Sequence, residues 1–185
     1  MKFEKLLFYL FIIYLNSFIA QEKLNGFVNS FNFNEQICMF NYNPEIRVLI
    51  NASEVNKFDP QKPTCIILYA LPNGNTIEQT AGKIQDKGDD WHYDIQHIAA
   101  QTRFMRNYDT TKNYVIVYLE TNQLSWPLWK SKYPTTHATV IKGLVEYIKE
   151  LFIKYNPNIV LTGHSGGGRF IFSFMDASVD IPEIS

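Results

Sequence analysis

The run Asn158-Ile159-Val160-Leu161-Thr162-Gly163-His164-Ser165-Gly166-Gly167-Gly168-Arg169-Phe170 is the most informative part of the chain. Its short apolar start, with β-branched residues, has the composition of a buried strand, and it stops at glycine, histidine, serine and three more glycines. Beyond them Phe170, Ile171, Phe174 and Met175 recur at helical spacing. Ser165 is therefore expected on a tight turn between a strand and a helix. A side chain held at the apex of such a turn takes an unfavourable backbone conformation. The strand and helix can approach only if the residues two before and two after it lack a Cβ, the places of Gly163 and Gly167. The helix would aim its first N–H groups and its positive dipole end at the space above Ser165, which suits a developing oxyanion.

A glycine-rich strand-to-helix turn has two other readings. A dinucleotide loop would place glycine where Ser165 stands, and the Gly-Lys-Ser/Thr of a nucleoside-triphosphate loop does not follow. A glycine run needed only for packing is the other alternative.

At 185 residues, 46% hydrophobic and 19% charged, the chain has ordinary globular composition and enough length for one domain around one sheet. A formal net charge of −1, without a Lys/Arg cluster, argues against nucleic acid or an anionic membrane as partner. Residues 1–20 stand apart: Lys2 and Lys5 precede an apolar stretch, Leu6 to Leu15, with the length of a signal-peptide core. Cleavage after Ala20 is expected, giving a secreted or periplasmic protein with no membrane partner after signal removal; a retained N-terminal anchor is the alternative. Cys38 and Cys65 could form a bridge in an oxidising space or stay as two buried thiols. Asn51-Ala52-Ser53 is a glycosylation sequon.

Between residues 21 and 44, Phe27, Phe31, Phe33, Phe40 and Tyr42 alternate roughly with polar residues, as in antiparallel edge strands. Glu45-Ile46-Arg47-Val48-Leu49-Ile50-Asn51 reads as a further strand. Thr64-Cys65-Ile66-Ile67-Leu68-Tyr69-Ala70 and Asn113-Tyr114-Val115-Ile116-Val117-Tyr118-Leu119-Glu120 are continuous apolar strands. From Asp89 a helix is expected, with Trp91, Ile95, Ile98, Thr102 and Met105 on one stripe. Asp90, Asp94 and His97 share another face of it, but their spacing matches no strong zinc pattern. Neither a metal nor a cofactor is expected. Ser125-Trp126-Pro127-Leu128-Trp129 reads as a loop at a strand's carboxyl end, where Trp126 and Trp129 would either contact a substrate or pack inside. Residues 138–155 form an amphipathic helix ended by Asn156-Pro157. The alternation of strands and helices predicts an α/β fold with a mostly parallel sheet, helices on both faces and antiparallel strands at the N-terminal side.

Gly163-His164-Ser165-Gly166-Gly167, preceded in order by an apolar strand with the loop Pro72-Asn73-Gly74-Asn75, a helix, a strand and a helix, resembles the N-terminal half of an α/β-hydrolase. The resemblance makes the pentapeptide a nucleophile elbow, with residues 21–185 as the N-terminal part of the domain after a signal peptide at 1–20. It implies Ser165 as nucleophile and an oxyanion hole from Gly166 with Asn75 and Gly74. In that family the acid and histidine follow the serine, and here only Asp176 and Asp180 follow, with no histidine. His92, His97, His137 and His164 all precede Ser165. The acid and histidine are accordingly expected beyond residue 185, which would leave these residues alone inactive. The resemblance implies a serine esterase acting on a small-molecule or polymer ester. A peptidase or amidase of the same fold, or a catalytically decayed binding protein for a sugar or apolar ligand, are the alternatives.

Overall fold

A computed structural model describes residues 22–84, 87–88 and 97–177. The expected signal peptide at 1–20 lies outside them, as do Asp90, Trp91, His92, Asp94, Ile95 and Asp180. Six strands form one sheet: β1 (Val28–Asn29), β2 (Glu35–Tyr42), β3 (Ile46–Glu54), β4 (Thr64–Ala70), β5 (Asn113–Thr121) and β6 (Pro157–Gly163), in the order β1-β2-β3-β5-β4-β6. The described helices are α1 (Ile77–Ala81), α2 (Ile98–Tyr108), α3 (Trp126–Lys132), α4 (His137–Leu151) and α5 (Gly168–Asp176).

The sheet is mixed, which corrects the expectation of a mostly parallel, α/β-hydrolase-like sheet. β4 pairs in parallel with β5 and β6, but β1–β2, β2–β3 and β3–β5 are antiparallel. The reason lies in the connections. A parallel neighbour needs a crossover of a dozen residues or more, usually with a helix. Only residues 43–45 join β2 to β3, and residues 55–63 join β3 to β4, so both links reverse the chain. β3 then takes its place beside β5, with Val48 opposite Leu119 and Ile50 opposite Val117.

Helices do cover both faces. On one, α3, α4 and α5 press Trp126, Trp129, Ile141, Leu144, Ile148 and Phe170 onto Val48, Ile50, Ile66, Leu68 and Val117. On the other, Ile77 of α1 and Ile98 of α2 meet Tyr69, Ile116 and Tyr118. β5 lies between two strands and under helices on both sides, so all nine of its residues are buried. That burial is why its sequence reads as a continuous apolar run rather than an alternating one.

Two smaller readings change. On α2 Met105 is exposed while Thr102 is buried, and the helix expected from Asp89 lies outside the described residues before His97. The apolar spacing of residues 138–155 puts Leu151 inside, and the structure leaves it exposed at the end of α4. Cys38 and Cys65 are both free, and burial pushes both thiols up from their ordinary value. The sequon residue Asn51 is 9% exposed, and its side chain donates to Glu35 and accepts from Arg106, so a folded molecule has no room there for a glycan.

Candidate active site

β6 ends at Gly163, and His164 continues in extended conformation (φ −117°, ψ 141°). At Ser165 the chain bends: φ is +53°, a left-handed value that costs a residue with a Cβ about 1–2 kcal/mol. A single 3-10 turn, Ser165–Gly167, leads into α5, closed by the Gly167 N–H donating to the His164 carbonyl at 2.9 Å. Ser165 and His164 are exposed, and Gly167 is buried. A Cβ on Gly163 would stand 2.9 Å from the Gly167 carbonyl carbon and 3.1 Å from the Ala70 carbonyl oxygen. A Cβ on Gly167 would run into the Ala70 carbonyl oxygen itself. Both glycines are thus needed for β6, β4 and α5 to meet, the reason given for them from sequence.

The neighbouring loop is held from several sides. Thr76 caps α1 through a reciprocal pair with Gln79, and the Ile77 N–H donates to Glu120 at 2.6 Å. Burial raises the Glu120 carboxyl, while that N–H and Arg47 draw it down. Of the amides assigned to an oxyanion hole, only the Gly166 N–H has no acceptor among the described residues. The Gly74 N–H donates to the Leu124 carbonyl at 2.8 Å and the Asn75 N–H to that of Pro72 at 3.4 Å. The loop reaches the bend through Asn73 instead: its carboxamide occupies the space where a Gly166 Cβ would project. Asn73 is not among the residues that the resemblance assigns to the oxyanion hole, although its carboxamide brings N–H donors.

Trp126 and Trp129 are 2% and 1% exposed, on helix α3 rather than in a loop. Ser125 starts that helix by accepting from the Leu128 N–H, and Pro127 fits its first turn. The Trp126 ring packs edge-on against Phe170 with centroids 5.0 Å apart, and the Trp129 Nε1–H donates to Pro44. The pair braces α5 behind the bend and presents no face to a ligand.

Among the described residues the histidines are dispersed. His97 caps α2 by position, its Nδ1 against Gly82. His137 opens α4, 8% exposed, with a buried Nδ1 that has no partner among the described residues. Asp176 closes α5 and pairs with Lys130 at 3.4 Å. None of the described hydrogen bonds gives Ser165 a general base. Among the described residues no three His, Cys, Asp or Glu side chains gather as a metal site, and no helix is long and apolar enough to cross a membrane.

Burial, and next the Lys130 ammonium, holds the His137 imidazole below its ordinary value; Asp176 opposes and Arg169 adds to this. In the unfolded chain the ring titrates near about 6.5. Unfolding therefore takes up a proton below that value, so the stability carried by the neutral ring is intact above it. That stability is lost as pH falls through the lower folded value. Thermal unfolding followed from about pH 7.5 to about pH 5 should show a steeper fall in Tm for the parent than for His137→Leu. Equal slopes would remove this role for the ring.

Compared with protein-family models, with characterised proteins and with solved structures, the chain matches none.

Proposed function

We propose that this protein is an exported serine hydrolase that cleaves a carboxylic ester through an acyl-enzyme on Ser165. The observation that carries the reading is the exposed Ser165 at φ +53°, between two glycines with no space for a Cβ. A left-handed serine is strained, and strain of this kind is kept where the surroundings impose it and a site uses it. In the proposed step the Ser165 hydroxyl oxygen adds to the ester carbonyl carbon as its proton passes to a general base. The alcohol then leaves with a proton, and water releases the acid. The Gly166 N–H, with the Asn73 carboxamide beside it, would hold the oxyanion. The base and its orienting acid are not among the described hydrogen bonds, and the resemblance to α/β-hydrolases puts both after the serine. Ester rather than amide also follows that resemblance. Export rests on Lys2, Lys5 and the apolar stretch after them.

A fluorophosphonate probe on the full-length protein should modify Ser165, as peptide mass shows, and Ser165→Ala should not be modified. Asn73→Ala should slow labelling by about 10²-fold, the usual cost of an oxyanion donor. Absent labelling, or labelling that survives Ser165→Ala, sinks the reading.

A further inference from the structure

At the opposite end of the parallel strands, about 20 Å from the bend at 3.3 Å per residue, lies a cavity of about 460 Å³. Its walls come from the start of β2, the link after β3, the end of α2 and the start of β5. Its inner wall carries a buried carboxylate between two guanidinium groups. Glu35, 5% exposed, accepts from Arg103 Nε at 2.9 Å, Arg103 Nη2 at 2.8 Å, Arg106 Nη1 at 2.8 Å and Asn51 Nδ2 at 3.0 Å. Those four bonds fill a carboxylate's acceptor capacity. Arg106 spends its other donors on the Tyr114 and Asn51 carbonyls and the Asn51 side chain. A register shift between Glu35 and Gln36 turns Glu35 into this position, a use of bulges seen beside functional sites.

One carboxylate cannot neutralise two guanidinium groups, and an uncompensated charge in so dry a place is costly. The surplus faces the cavity through Arg103, whose Nη1 meets no acceptor among the described residues and whose Cζ lies 3.5 Å from the centre of the Phe33 ring. Lys57, Lys62 and Lys112 reach the same space from two other walls. They pair with Glu54 at 2.6 Å, Asp59 at 3.8 Å and Asp109 at 3.6 Å respectively. Each ammonium keeps further donors after one such contact. The cations therefore outnumber the carboxylates around the cavity even with Asp109 counted, and they converge from several directions.

We propose that this cavity binds a small phosphate monoester. Three phosphoryl oxygens accept hydrogen bonds from several sides at once, where a carboxylate accepts in one plane. The Phe33 and Tyr114 rings in the wall suit an ester group with an apolar part. The site is separate from Ser165 and stands or falls without it.

Phenyl phosphate, titrated calorimetrically and by thermal shift at constant ionic strength, is the probe. Saturable binding is expected, with Tm rising with ligand concentration. Arg103→Gln should weaken it at least tenfold, and Ser165→Ala should leave it unchanged. Should Arg103→Gln not fold, Lys112→Gln, on the exposed rim, should still weaken binding several-fold. No saturable binding, binding undiminished in the folded variants, or equal binding of benzoate or chloride would overturn the proposal.

Discussion

Glu35→Gln is expected to lower the free energy of unfolding by about 3–5 kcal/mol, the range for removing one partner of a buried ion pair. The side chain keeps its shape, so the loss is one of charge. The Arg103 and Arg106 guanidinium groups would remain against each other with no carboxylate between them. Gln would also present N–H donors to a side already crowded with donors. Burial draws the Arg106 guanidinium down to about 10 even with Glu35 opposing the fall. Without Glu35 that support is gone. Glu54→Gln is the comparison: its partner Lys57 has a side chain 60% exposed, and such pairs are worth within about 1 kcal/mol. Urea titration of both variants decides the matter, and a loss for Glu35→Gln no larger than that for Glu54→Gln would show that the cluster is not dry.

The second large effect is expected at Gly167→Ala, at about 3 kcal/mol or more, the upper range for forcing atoms into a filled site. The new methyl would meet the Ala70 carbonyl oxygen, the Ala70 carbonyl carbon at 2.9 Å and the Leu71 carbonyl oxygen at 3.1 Å. These are main-chain atoms at the end of β4, which cannot swing aside as a side chain can. Relief requires α5 to lift from the sheet, taking the Phe170 contact with Trp126 with it. The adjacent Gly168→Ala separates this clash from any general intolerance of the helix start. Gly168 has helical angles (φ −57°, ψ −27°) and open space where a Cβ would stand. Alanine there should be neutral or stabilising by up to about 1 kcal/mol. If both variants unfold at the same denaturant concentration, the close approach of β4 and α5 is not what fixes the bend.

The turn at Ser165 was legible because its causes are local: a strand, a positive φ and two missing Cβ atoms all leave marks within five residues. β4, β5 and α4 were legible through burial on both faces or one stripe. Pairing direction was not, since an apolar strand such as β3 has the same composition beside a parallel or an antiparallel neighbour. The short links at 43–45 and 55–63 carried that information, and they outweigh the βα alternation that follows. Trp126 and Trp129 were misread as a loop because Pro127 resembles a breaker, whereas Ser125 before it makes Pro127 part of a first turn. Glu35, Arg103 and Arg106 gave no signal of belonging together, being 68 and 71 residues apart in sequence. Only the three-residue spacing of the arginines, which puts both on one side of α2, hinted at a shared partner.

β6 pairs with β4 alone among the described strands, so the bend carrying Ser165 stands at a margin of the sheet. One row of its amides and carbonyls points away from the other described strands, with Val160 exposed beside them. A polypeptide hydrogen-bonded along that row would be brought alongside the serine, at the very spot where a pocket wall is needed. On the proposed reading of Ser165, whatever lines up against this border would shape the space above the serine.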